Sequence, residues 1–196
     1  MNKFAISFRR IAAVLFCTAA MGLVGCAQVK LAEPVASADN IQKAKAGGIG
    51  PVSVGEFKLA EGKDRSLDLK VSIRSNTFFS PYDSSLSKYL AESLKADLNA
   101  AGVLEPGASR SIRGELTQST VEAPMGRGTA SLAARFIVED QGRKTYDKEL
   151  STKADWESSF VGAIAIPDAI NQYVALYKKL VGELLDDPNF RKAVAR

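Results

Sequence analysis

TASLAARFIVEDQGRKTYDKELSTKADW, residues 129–156, decides the fold. From Thr129 to Glu139, the residues Ala130, Leu132, Ala134, Phe136 and Val138 fall on one face, with Thr129, Ser131 and Arg135 opposite. From Arg143 to Trp156, Tyr146, Leu150, Ala154 and Trp156 oppose Thr145, Asp147, Glu149, Ser151, Lys153 and Asp155. A period of two marks a strand with one buried face. Asp140-Gln141-Gly142 between the runs has hairpin-turn chemistry, so the two strands pair antiparallel. One polar face per strand means that the sheet is covered on one side only.

Upstream, Ser111–Glu122 places Ile112, Gly114 and Leu116 on one face and adds a third strand to the meander. Before it, Leu86, Leu90, Leu94 and Leu98 recur every four residues, with Tyr89 and Ala101 in the same stripe. This predicts an amphipathic helix capped by Asp83 or Ser84 and closed by Gly102. Pro51–Leu59 reads as a strand bulged at Gly55, Leu69–Ile73 as a short strand, and Phe78–Asp83 as a loop. Downstream, Pro167 suits the first position of a second helix, whose buried stripe is Ile170, Tyr173, Val174, Tyr177, Val181 and Leu184. Asp187-Pro188 ends that helix and opens a short turn over Asn189–Val194. Two helices on one antiparallel sheet make an α+β two-layer sandwich, with both main helices on one face and a single domain over 51–196.

Composition narrows the chemistry. The 196 residues carry 26 Lys+Arg against 22 Asp+Glu, a formal charge of +4, and no histidine. Without histidine there is no Ser-His-Asp or Cys-His arrangement, no HExxH helix and no Cys/His zinc site. The expectation is a non-enzyme with no catalytic residue, no metal and no cofactor.

The first 25 residues read as a signal peptide. Lys3, Arg9 and Arg10 precede the uncharged run Ile11–Val24, whose fourteen residues extend about 21 Å as a helix, short of the roughly 30 Å hydrocarbon core. The run ends in Leu23-Val24-Gly25-Cys26, followed by Ala27. This resembles the lipobox of bacterial lipoproteins. The resemblance implies diacylglycerol on the Cys26 thiol, cleavage before Cys26 and a further acyl chain on the new amine. Ala27 in place of Asp implies the outer membrane, with the chain on its periplasmic face.

Removal of residues 1–25 takes away Lys3, Arg9, Arg10 and no acid, lowering the charge from +4 to +1. It also removes Cys17, so with Cys26 acylated the mature chain has no free thiol. A charge near +1 carries no nucleic-acid footprint. Residues 27–50, rich in Ala, Gly and Lys, read as the tether that follows Cys26, within the lipidated segment 26–50, with a frayed turn over Asp39–Lys45. A flexible segment of that length reaches about 27 Å and would hold the domain off the membrane.

The order of lipobox, tether, strand, leucine-repeat helix ending Ala101-Gly102, meander and closing helix with a short terminal turn is similar to the uncharacterised lipoproteins of the enteric YajG type. More loosely, it resembles lipopolysaccharide-assembly lipoproteins and the auxiliary lipoproteins of lipid-transporting ABC systems. The resemblance implies fold and compartment, and transfers no functional residue except Cys26.

One stretch departs from ordinary loop composition. Between Trp156 and Pro167, the connection Glu157–Ile166 contains Phe160, Val161, Ala163, Ile164, Ala165 and Ile166. Connections usually run over the surface and are polar. Phe160, Val161 and Ile164 are therefore a candidate partner interface, unless they tuck beneath the domain while Ile166 packs on the helix. Gly126-Arg127-Gly128-Thr129 reads as a turn rather than a phosphate loop.

Three functions follow. The first is a membrane-anchored, non-catalytic accessory module in envelope assembly or lipid transport, with an envelope protein as partner. The second is small-ligand or lipid binding between sheet and helices, through Phe78, Phe79, Tyr82, Tyr89, Tyr173 and Tyr177. The third is a hydrolase using Glu139, Asp140, Asp186 and Asp187, which read as solvated residues at element ends.

Overall fold

A computed structural model describes residues 29–196. In chain order the elements are β1 (Val29–Lys30), α1 (Ala38–Ala46), β2 (Ser53–Leu59), α2 (Ser66–Leu69), β3 (Val71–Ile73), β4 (Asn76–Phe79), α3 (Leu86–Ala101), β5 (Arg110–Glu122), β6 (Gly126–Asp140), β7 (Arg143–Ser158), α4 (Gly162–Asp186) and α5 (Pro188–Val194). The fold is an open α+β arrangement. The main sheet has the order β2-β5-β6-β7, and a small second sheet has the order β1-β4-β3.

The β5-β6-β7 meander pairs antiparallel throughout. Gln141 and Gly142 both take positive φ, as a two-residue hairpin turn matched to strand twist requires. The sheet's covered face contributes Ile112, Leu116, Leu132, Ala134, Phe136 and Val138 to the core. Leu86, Leu90, Leu94 and Leu98 of α3, with Tyr173, Tyr177, Val181 and Leu184 of α4, meet them from above. Ser85, rather than Asp83 or Ser84, caps α3 by accepting the Lys88 N–H at 3.1 Å, and Gly102 ends it in the left-handed region.

Leu69 ends α2, so the expected strand from Leu69 shortens to Val71–Ile73. Four further features differ from the sequence reading. First, β2 runs parallel to β5, with a register shift between Val54 and Phe57 at the bulge expected near Gly55. The chain returns to β5 through α3, and parallel neighbours need such a crossover. Second, Phe78-Phe79 is not loop but the end of β4, which pairs antiparallel with β3. Third, α4 begins at Gly162, so that Pro167 lies inside it. Near the start of a helix the missing N–H of Pro167 removes a single ladder bond, and Ile166 and Ala169 already pack on the core.

Fourth, the described part of the presumed tether is packed on the domain. Val29 and Lys30 pair parallel with Phe78 and Phe79. Leu31, Ala44 and Ile49 are buried, and Ile49 bridges to Ala195 beside the last helix. The segment is also held by a polar contact. Asn40 of α1 donates to Asp97 Oδ2 at 2.7 Å and to the Lys178 carbonyl at 2.9 Å, and the Ser37 N–H donates to Asp97 Oδ1 at 2.7 Å.

Candidate functional site

β7 ends at Ser158, and α4 begins at Gly162 after a link of three residues. The link is pinned from the side by Arg74, which sits in the β3–β4 turn with φ 53°. Its guanidinium donates Nε to the Ala123 carbonyl at 2.9 Å, Nη1 to the Phe160 carbonyl at 3.3 Å and Nη2 to the Ser159 carbonyl at 2.6 Å. Ser159 Oγ accepts the Val161 N–H at 3.1 Å. One side chain thus fastens the β5–β6 connection and the β7–α4 link to the small sheet.

The side chains carried by this clamp face outward. Phe160 is 77% exposed, Val161 49% and Ile164 60%. They do not tuck beneath the domain; Ala165 is buried and Ile166 packs against the core. Met125, at the tip of the neighbouring β5–β6 connection, is 65% exposed. Gly126 pairs with Ser158, so this second tip stands beside the first. Gly126 and Arg127 belong to β6 itself, extending that strand back past Thr129. Cys26 lies outside the described residues. Sequence reasoning did not single out Arg74; a lone arginine between two short strands carries no signal of its carbonyl partners.

The four carboxylates do not form one site. Glu139 pairs with Arg113. Asp140 accepts from Ser109 at 3.2 Å and lies 3.7 Å from Arg110. Asp186 binds Lys43 at 2.7 Å and Arg191 at 2.8 Å, joining α1 to the C-terminal helices. Asp187 is not a solvated end residue: it is buried and caps α5, accepting the Asn189 and Phe190 N–H groups at 2.8 and 3.1 Å. Lys148 Nζ lies 2.6 Å from its other oxygen. Burial pushes the Asp187 carboxyl up, but Lys148 and the two cap N–H groups outweigh it and hold it below the usual carboxylate range. Among the described residues no group of three or more Asp, Glu, His or Cys side chains is arranged to hold a metal ion.

The aromatic residues weighed as pocket lining are mostly core. Tyr89 and Tyr177 pack edge to face at 4.8 Å, and Tyr173 and Tyr177 at 5.4 Å. Tyr89 donates to the Ala32 carbonyl at 2.8 Å, while the Tyr173 hydroxyl lies 2.5 Å from Ser119 Oγ and 2.8 Å from the Tyr177 hydroxyl. Burial pushes the Tyr89 and Tyr173 hydroxyls up to about 12, so both are neutral hydrogen-bonding groups at physiological pH. Phe78 is buried as well, and Tyr82 leans on Tyr89 at 6.3 Å.

The open face of the meander is laced with cross-strand ion pairs. Arg135 holds Asp147 through two bonds of 2.6 and 2.7 Å and Arg127 meets Asp155, while Lys144, on the same strand as Asp147, reaches that carboxylate at 2.6 Å. The alternating charges of Arg143–Asp155 are the wet side of the sheet.

No protein-family model matches the chain, and no curated protein matches it. Among solved structures, similarity is found to a Xanthomonas campestris protein of the DUF330 family, at 13% identity and TM-score 0.49 over 81% of this chain and 91% of that one. A minor lipoprotein from Acinetobacter baumannii is similar at 14% identity and TM-score 0.42, over 74% of this chain and 95% of that one. Likenesses of this size carry no residue role across.

Proposed function

We propose that this chain is a periplasmic lipoprotein, acylated at Cys26 and held at the outer membrane, which acts without catalysis as an accessory module for an envelope protein in envelope assembly or lipid transport. The observation that carries the reading is the sequence order at the N-terminus: basic residues, an uncharged apolar run, then Leu23-Val24-Gly25-Cys26, three positions before Val29. Among the described residues, no helix is long and apolar enough to cross a membrane. Two or more acyl chains would supply a stable anchor without one. The saturated carboxylates support a role in binding rather than hydrolysis.

The test is fractionation of cells producing the full chain or Cys26→Ser, followed by gentle co-purification from the membrane. The reading expects the full chain in outer-membrane fractions together with a specific envelope partner. It expects Cys26→Ser to leave the membrane. Equal membrane association of both chains, or a full chain recovered only as an isolated monomer, contradicts it.

A further inference from the structure

The large apolar side chains left in water are concentrated. Val29, Met125, Phe160, Val161 and Ile164 are five of the seven among the described residues. Their placement follows from strand direction. Met125 and Phe160 flank the Gly126–Ser158 pair at one end of the main sheet. Arg74 brings the β3–β4 turn to the same end by binding the carbonyls of Ala123, Ser159 and Phe160. β1 runs parallel to β4, so its N-terminal end points toward that same turn.

The N-terminal end of β1 therefore lies at the end that carries the apolar tips. Three residue steps separate Cys26 from Val29, a span of at most about 10 Å. A free tether would leave the orientation of the domain open, but a packed one does not. The patch, moreover, is made of two connections and the first turn of α4 rather than a groove. Side chains on such tips can enter the boundary between headgroups and acyl chains. The backbone beneath them is prepared for it, because Arg74 satisfies three carbonyls that would otherwise lose water on contact with an apolar phase.

We propose that Met125, Phe160, Val161 and Ile164 are a membrane-contacting apron: they sit in the lipid surface to which Cys26 is anchored and hold the domain in one orientation upon it. This rests on the anchor proposed above and names the occupant of the exposed patch. The opposite end, with the Gln141-Gly142 turn, would then face the periplasm and be free for a protein partner.

The experiment uses the full acylated chain, purified from membranes and reconstituted in vesicles of phosphatidylethanolamine and phosphatidylglycerol. A polarity-sensitive fluorophore is attached in Phe160→Cys, Ile164→Cys or, as a control, Gln141→Cys; with Cys26 acylated, the introduced thiol is the only one. Doxyl-labelled phosphatidylcholine is then added to the vesicles. The apron predicts blue-shifted emission at 160 and 164, with quenching at least about twofold stronger than at 141, as burial of apolar groups at the interface requires. Vesicle-bound protein whose probes at 160 and 164 match that at 141 overturns the apron and leaves the anchor standing. Blue-shifted probes that doxyl lipid does not quench also overturn it, because a protein or a second copy then covers the patch. A chain that carries no lipid and does not float with the vesicles overturns the anchor, and the apron with it.

Discussion

Asn40 Nδ2 lies 2.7 Å from Asp97 Oδ2, joining α1 to the C-terminal half of the leucine-repeat helix. Both residues are buried, and the second amide contact, to the Lys178 carbonyl, reaches α4 as well. Burial raises the Asp97 carboxyl above its usual range, against the lowering effect of the Asn40 and Ser37 bonds. The contact is what turns a stretch with the composition of a tether into part of the fold.

Asn40→Ala should therefore destabilise the protein by about 2 kcal/mol, since it leaves a buried carboxylate short of a donor. The loss should be local first: amide exchange in Ala38–Ala46 should accelerate more than in β6. Gly182→Ala should act in the same direction, because a Cβ there would lie 2.9 Å from Asn40 Oδ1. Urea unfolding with hydrogen exchange checks both; unchanged protection of α1 would show that apolar contacts alone hold it.

Legibility in the sequence followed periodicity. The hairpin around Gln141-Gly142 and the four-leucine helix stood out because each repeats one pattern over ten residues or more. Residues 29–50 bury only small or isolated apolar groups such as Leu31, Ala44 and Ile49, and they complete their packing with Asn40, a residue that hydropathy assigns to solvent. Pro167 read as a helix start because proline prefers that place, yet the helix begins five residues earlier. The exposed patch was visible as an apolar run. Its clamp was not, since Arg74 is distant in sequence from Ala123, Ser159 and Phe160.

Gly128 lies beneath Trp156, the only tryptophan in the chain. A Cβ at Gly128 would come within 2.2 Å of the indole ring. Gly128→Ala should therefore destabilise by about 1–3 kcal/mol through overpacking. It should also shift the emission of this single fluorophore, which makes the displacement directly visible. An unchanged spectrum with unchanged stability would contradict the close approach.

Acid should weaken the fold through Asp147 and Asp187. The Arg135 guanidinium and Lys144 hold the Asp147 carboxyl down at about 2, and Asp187 also lies below its usual value. A carboxyl lower in the folded than in the unfolded chain leaves the unfolded state binding more protons on acidification. The stabilisation is therefore present above the ordinary aspartate pKa of about 4 and is lost as pH falls toward the folded value. Asp187→Asn should flatten the dependence of unfolding free energy on pH in that window. A slope identical to that of the parent chain would assign the acid sensitivity elsewhere.

Arg74→Ala should release the link that carries Phe160 without unfolding the core. Amide exchange at Val161–Ala165 should rise about tenfold or more, equivalent to roughly 1.4 kcal/mol of lost local stability, with little change in β6. Arg74→Lys should restore it poorly, because an ammonium cannot present the planar fork that reaches three carbonyls. Uniform loss of protection throughout the chain would instead make Arg74 a global stabiliser.

The central claim is that Cys26 anchors this domain. Mass spectrometry of the N-terminal tryptic peptide, from protein purified out of membranes, tests it most directly. The account predicts a peptide Cys26–Lys30 carrying diacylglycerol, with a further acyl chain on its amine. An unmodified Cys26, or a mature chain that begins at any other residue, would contradict it.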